Sequence, residues 1–265
     1  MSAKTRIVVI GNGMVGHKFL EALAEREGFE ACTVTVLCEE PRPAYDRVYL
    51  SAYFSGKTAA DLSLVQGDFF AEKGIELRLN CRAADIDRAG KTVTTASGER
   101  IPYDKLVLAS GSYPFVPPVP GHDREHCLVY RTIEDLEAIK AGAAQSKVGV
   151  VVGGGLLGLE AAKALRDLGL DTHVVEFAPR LMAVQLDEGG AKLLRNKIEA
   201  LGVKVHTGKN TLEITDGADT RHVMKFADGS ELGTDLILFS AGIRPRDELG
   251  KQSGLETGPR GGVVV

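Results

Sequence analysis

The chain has 265 residues, enough for one large or two ordinary domains with buried cores and too many for one small module. Its 32 Lys and Arg against 36 Asp and Glu leave a net charge of −4, so no broad field favours nucleic acid or an anionic membrane surface. Four cysteines, at 32, 38, 81 and 127, form no CxxC pair and no metal-ligand spacing, which argues against a metal site and for a reducing compartment.

No apolar stretch approaches the ~18 residues that span a bilayer, and none precedes the first strand, so a soluble, cytoplasmic chain is expected. Arg6-Ile-Val-Val-Ile10 reads as a strand buried on both faces. Gly11-Asn-Gly-Met-Val-Gly16 follows at once, then a helical pattern to about Arg26 and a β-branched strand over 33–37 that ends in Cys38-Glu39-Glu40. This is a complete βαβ unit. A polar, Pro-containing stretch covers 41–61, and the pattern predicts a helix over roughly 64–73. Strand signals near 75–80, 83–87, 91–95 and 99–103, with turns at Gly90 and Ser97-Gly98, predict a small antiparallel excursion. Lys105-Leu-Val-Leu-Ala109 then returns to a buried strand.

Residues 110–121 hold four of the ten prolines and read as an interdomain connection. Thr132-Ile-Glu-Asp135 resembles a capping box opening a helix to about 143. The opening pattern then repeats: a strand over 148–152, Gly153-Gly-Gly-Leu-Leu-Gly158, a helix over 156–168, and Thr172-His-Val-Val-Glu176. A helix over 187–201, a strand over 203–206, a hairpin region over 211–232 and the apolar strand 235–239 before Ser-Ala-Gly242 replay residues 64–111. The chain is an internal duplication. The reading is an α/β protein of two Rossmann-like, three-layer dinucleotide-binding domains, the second inserted in the first. Residues 1–116 plus 243–265 form one domain, and 117–242 form the other.

In a GxGxxG turn the first glycine permits the tight bend, the second lets backbone approach a pyrophosphate, and the third permits close strand–helix packing. Each turn here follows a buried strand and opens a helix, and each is followed by acids near the end of the next strand, Glu39 and Glu176, able to accept from ribose hydroxyls. Glu176 lies 23 residues after Gly153 and is followed by Phe177-Ala-Pro, with no basic residue until Arg180. A ribose 2′-phosphate would meet a carboxylate there, so NAD is expected over NADP. Two dinucleotide sites in one chain imply a nicotinamide that delivers hydride and a flavin that receives it.

The stretches Gly11–Gly16, Cys38-Glu-Glu-Pro-Arg-Pro-Ala-Tyr-Asp-Arg47, Leu108-Ala-Ser-Gly-Ser-Tyr-Pro114 and Val152-Gly-Gly-Gly-Leu-Leu-Gly-Leu-Glu160 together resemble the FAD-dependent pyridine nucleotide oxidoreductase superfamily. With Tyr130-Arg-Thr-Ile-Glu-Asp135 added, the whole chain resembles the N-terminal part of the large subunits of assimilatory NADH-dependent nitrite reductases. The resemblance implies FAD in the first domain and NADH in the second. It further implies nitrite reduction to ammonium at sirohaem and 4Fe-4S centres in downstream domains absent from this sequence, with a small nitrite reductase subunit as partner. In the first domain it assigns Gly11, Gly13 and Gly16 to the FAD pyrophosphate and Glu39 to the adenosine ribose, with Met14 and Glu40 among the cofactor-binding residues. Arg47 falls to the flavin or its phosphates, the Ala83 backbone to adenine, and Ser110 and Gly111 to closing the site. In the second domain it assigns Gly153, Gly155 and Gly158 to the NADH pyrophosphate, Glu176 to its ribose, and Glu160 and Gly242 to the nicotinamide end, with Leu156 and Leu157 among the cofactor-binding residues.

By residue type alone, Arg47 could instead pair with Asp46 or Asp61, Ala83 could be plain strand, and Glu160 could serve the helix dipole. No acid–base side chain is expected to be catalytic, since hydride transfer needs orientation. Residues 41–80 contain no cysteine, so the CxxxxC dithiol of related disulfide reductases is missing and that activity is excluded. The family's later Gly-Asp flavin motif would lie beyond residue 265, so the sequence reads as a fragment. A stand-alone rubredoxin or ferredoxin reductase and a flavin- or nucleotide-binding sensor without turnover are the rival readings.

Overall fold

The computed structural model describes residues 4–265, which form two compact units. The first comprises the chain through Arg47, Thr58–Tyr113 and Arg244–Val265; the second comprises Val48–Lys57 and Pro114–Ile243.

In the first unit, four parallel strands lie in the order Ile75–Arg78, Cys32–Leu37, Thr5–Ile10, Lys105–Leu108. Successive side chains of a strand face opposite ways, and here both faces are covered. Ile7 and Val9 pack with Leu20, Val34 and Val36 on the side of helix Met14–Ala24. Val8 and Ile10 pack with Val93 and Ile101 of a three-stranded antiparallel sheet, Ala83–Asp87, Thr92–Thr95 and Arg100–Pro102, and with Tyr103 just after it. The result is three layers.

Two expectations need correction. Strand Ile75–Arg78 belongs to the parallel sheet, pairing Ile75 with Val34 and Leu77 with Val36, because Ile75 completes the apolar cluster under helix Met14–Ala24. The helix expected over 64–73 shrinks to Phe69–Glu72. Upstream of it, Leu62 and Leu64 bond through their backbones with Ala44 and Asp46, and Gly67 at φ +52° breaks the path.

The second unit repeats the plan with one more strand. Its parallel sheet runs Lys204–Thr207, Asp171–Glu176, Val148–Val152, Leu236–Phe239, Cys127–Val129. The antiparallel cover is Thr211–Asp216, His222–Phe226 and Glu231–Thr234. Helix Ile133–Ala143 opens with the full capping box: Asp135 N–H donates to Thr132 Oγ1 at 3.2 Å, and Thr132 N–H donates to Asp135 Oδ2 at 2.8 Å. Leu50–Ser55 forms a 3₁₀ turn of this unit, with Phe54 stacked on Tyr130 at 6.2 Å and the Tyr53 hydroxyl donating to Glu137 at 3.2 Å. Among the described residues no helix is long and apolar enough to cross a membrane, and no cluster of metal-ligating side chains occurs.

Candidate functional site

The two glycine turns superpose in their physics, and distances separate the roles of the glycines. A methyl on Gly11 would stand 2.2 Å from the Ala109 carbonyl oxygen, and one on Gly153 would stand 2.3 Å from that of Ser240. Both also have positive φ, +103° and +123°, so only glycine bends there without strain. A methyl on Gly16 would lie 2.3 Å from the Gly11 oxygen, and on Gly158 1.9 Å from the Gly153 oxygen; the helix is thereby pressed onto its own turn. At Gly13 and Gly155 such a methyl would meet nothing within 4 Å. The space over the middle glycine is open.

Gly13 and Gly155 are also the N-caps of helices Met14–Ala24 and Leu156–Asp167, with no side-chain cap and no acid in the first turn. Helices Ile133–Ala143 and Glu188–Ala200, by contrast, are capped by Thr132 and Asp187 and carry first-turn acids. Among the described α-helices, only the two glycine-turn helices lack both a side-chain cap and a first-turn acid, which leaves free N–H groups and an uncompensated positive end beside an open cradle, the arrangement that receives a phosphate. These residues fit a dinucleotide pyrophosphate in each unit. Met14 is half-buried, whereas Leu156 and Leu157 are exposed on the first turn of their helix.

The acids differ between copies. Gly11 N–H donates to the Leu37 carbonyl and Gly153 N–H to that of Val175, which makes Cys38 the counterpart of Glu176. Cys81 N–H to Cys38 O and Lys209 N–H to Glu176 O repeat the match. Glu39 therefore stands one residue later than Glu176. The Glu176 carboxylate accepts from Gly154 N–H at 2.5 Å and Ala178 N–H at 2.6 Å, fastened to its own loop. Glu39 faces Arg246 at 2.5 Å and Arg82 at 4.0 Å. Glu40 accepts from the Tyr45 hydroxyl at 2.8 Å and from Arg47, whose guanidinium lies 4.7 Å from the Tyr45 ring centre. Asp61 caps Thr58 at 2.8 Å.

Ser110 Oγ donates to the Arg246 carbonyl at 2.6 Å, and Arg246 N–H donates to the Gly111 carbonyl at 2.9 Å. Ala83 is buried where its strand slips register, and Thr211 begins the matching strand with the same slip. In the second unit a cavity of about 450 Å³ brings Gly153, Gly155, Glu176 and Gly242 together, within the size range of cofactor clefts. Phe177, Lys209, Asn210 and Thr211 complete its walls, over a floor that includes Val152, Val175, Met224 and Phe239. These four wall residues carry no motif of their own; the duplication could have found Thr211 as the counterpart of Ala83. Lys209 is drawn aside by Asp228 at 2.5 Å and Ser230 at 2.7 Å. Glu160 does not line the cavity. Burial pushes its carboxyl up, and burial followed by the Glu160 charge pushes up the Tyr130 hydroxyl.

Asn12 was not singled out by the motif. It is 6% exposed and neither side-chain amide atom has a hydrogen-bond partner. The second copy has Gly154 there, where a methyl would stand 2.6 Å from Leu181. A buried amide without a partner costs free energy, which suits a turn that also receives a polar ligand.

Fold and paired turns define a two-dinucleotide oxidoreductase, and the chain belongs to the pyridine nucleotide-disulphide oxidoreductase family, whose model matches residues 5–265. It is 56% identical to the NADH nitrite reductase large subunit of Escherichia coli (strain K12), covering 99% of this chain and 31% of that protein. Identity to the NAD(P)H nitrite reductase large subunit of Klebsiella oxytoca is 57%, over 99% and 27%. The chain thus spans between a quarter and a third of the length of these relatives. Among solved structures, a ferredoxin reductase from Rhodopseudomonas palustris superposes with a TM-score of 0.90 at 30% identity, covering 99% of this chain and 64% of that one.

Proposed function

We propose that this chain is the NADH-oxidising, FAD-reducing input portion of a nitrite reductase. The observation that carries the proposal is the duplicated turn: an open middle glycine on an uncapped helix in each unit, in a chain 56% identical to a nitrite reductase large subunit. When bound, the nicotinamide supplies a hydride and the flavin accepts it and releases electrons onward.

The protein's own part is binding and orientation. Gly11, Gly13 and Gly16 hold the FAD pyrophosphate with Met14, while Glu39 and Glu40 serve the ribose end. Ala83, Ser110 and Gly111 border the same cofactor, and Arg47 is fixed beside it by Glu40. Gly153, Gly155 and Gly158, with Leu156 and Leu157, receive the NADH pyrophosphate. Glu176 accepts from its ribose, and Glu160 and Gly242 serve the nicotinamide end. NADH is preferred to NADPH because the Glu176 carboxylate would repel a 2′-phosphate and Lys209, a cation lining the same cavity, is bonded to Asp228. Sirohaem and 4Fe-4S centres, and a small subunit, belong to the rest of the assembly.

Anaerobic titration of the flavin-loaded protein tests the reading. Stoichiometric NADH should bleach the oxidised-flavin absorbance and NADPH should do so far less efficiently; a flavin that stays oxidised under NADH would sink it. The likeness to a ferredoxin reductase, at 30% identity and a TM-score of 0.90, favours as second reading a reductase of a small electron-transfer protein. NADH-dependent nitrite consumption by the full-length protein, absent in that case, separates the two.

A further inference from the structure

Glu176 is held by backbone amides of its own loop, but Glu39 is held by side chains from far along the sequence. Arg246 Nη1 lies 2.5 Å from Glu39 Oε2, and Arg82 Nε lies 4.0 Å from Oε1. The same Arg246 donates its backbone N–H to Gly111 and accepts Ser110 Oγ at its carbonyl. One residue of the segment that returns to the first unit thus grips Glu39, Ser110 and Gly111 together, all within that unit. The two backbone bonds fix the main chain of Arg246 where its guanidinium reaches Glu39. An ionised carboxylate offers about four acceptor directions, so a cation on one oxygen leaves room for ribose hydroxyls. It also offsets a negative charge that would otherwise oppose a pyrophosphate nearby.

We propose that Arg246 is a positioning residue for FAD. It holds the Glu39 carboxylate ready for the adenosine ribose and offsets its charge, so that FAD affinity depends on the returning segment docking onto Ser110 and Gly111. The inference rests on reading the first unit as the FAD site.

The test uses the full-length protein freed of flavin and titrated with FAD, followed by quenching of flavin fluorescence, in the parent and in the R246A, R246K, E39Q and E39Q/R246A variants. R246A should weaken FAD binding about tenfold, as expected for loss of a charge-assisted pair, with R246K recovering part of the loss and NADH affinity unchanged. Because Arg246 acts through Glu39, the double variant should bind FAD no more weakly than E39Q alone. FAD affinity of R246A within about twofold of the parent, or losses that add in the double variant, would overturn the proposal. So would losses that merely track a lower melting temperature of the flavin-free protein. A parent that binds no FAD at all would instead overturn the FAD reading itself, a result distinct from each of these.

Discussion

At Gly158 and Gly155 the same substitution should weaken NADH binding but differ in its effect on stability. Gly158→Ala forces a methyl to 1.9 Å from the Gly153 oxygen, a backbone clash that the helix relieves only by moving. It should cost about 1–3 kcal/mol of stability, read as a lower melting temperature, and lose NADH binding with it. Gly155→Ala meets open space at φ −83°. Its stability should stay within about 0.5 kcal/mol of the parent, while NADH binding, measured by calorimetry, weakens roughly tenfold as the methyl fills the cradle. Glu176→Gln keeps the shape of the side chain and removes its charge. Relative to the parent, NADH should bind several-fold more weakly and NADPH more tightly, which comparison of the two dissociation constants would show. Asn12 escapes motif reading because the pattern leaves its position free; only its burial without a partner brings it out.

Strands Asp171–Glu176 and Lys204–Thr207 are linked by more than their ladder. His173 and His206 stack with ring centres 5.2 Å apart, and His173 Nδ1 lies 2.9 Å from His206 Nε2. One ring nitrogen must donate and the other accept, so the accepting ring is neutral and the two cannot both be protonated in this arrangement. Burial holds both below the ordinary value of 6.5, as it does His222 of the antiparallel cover. A histidine depressed on folding contributes stability above its unfolded pKa and loses it as pH falls through the folded one. Thermal stability should therefore fall as pH drops from about 6.5 toward 5, and His206→Gln should flatten that dependence in melting curves across this range. A slope unchanged by the substitution would assign the acid sensitivity elsewhere.

Across the whole molecule, the cysteines separate this chain from the disulfide chemistry in its family's name. All four are free. Burial pushes the thiols of Cys38 and Cys81 up, and that of Cys127 up to about 11, so none of these three is a ready thiolate at neutral pH. Oxidised glutathione should not accelerate NADH oxidation, and thiol alkylation of the folded protein should leave flavin reduction by NADH intact. Both follow by absorbance.

The two βαβ units, their glycine turns and the capping box at Thr132 are legible in the sequence because each rests on neighbours within a few residues: buried strands, obligatory glycines, a hydroxyl facing an amide. Tertiary structure alone decided which sheet strand Ile75–Arg78 joins, for its apolar alternation suits either, and it alone assigned Leu50–Ser55 to the second unit, through Phe54 on Tyr130. The Glu39–Arg246 pair, 207 positions apart, and the register that sets Cys38 opposite Glu176 likewise appear only once the strands are aligned. Local sterics and hydrogen bonding are written residue by residue, whereas which distant side chains meet depends on how the packed layers bring the ends of the chain together.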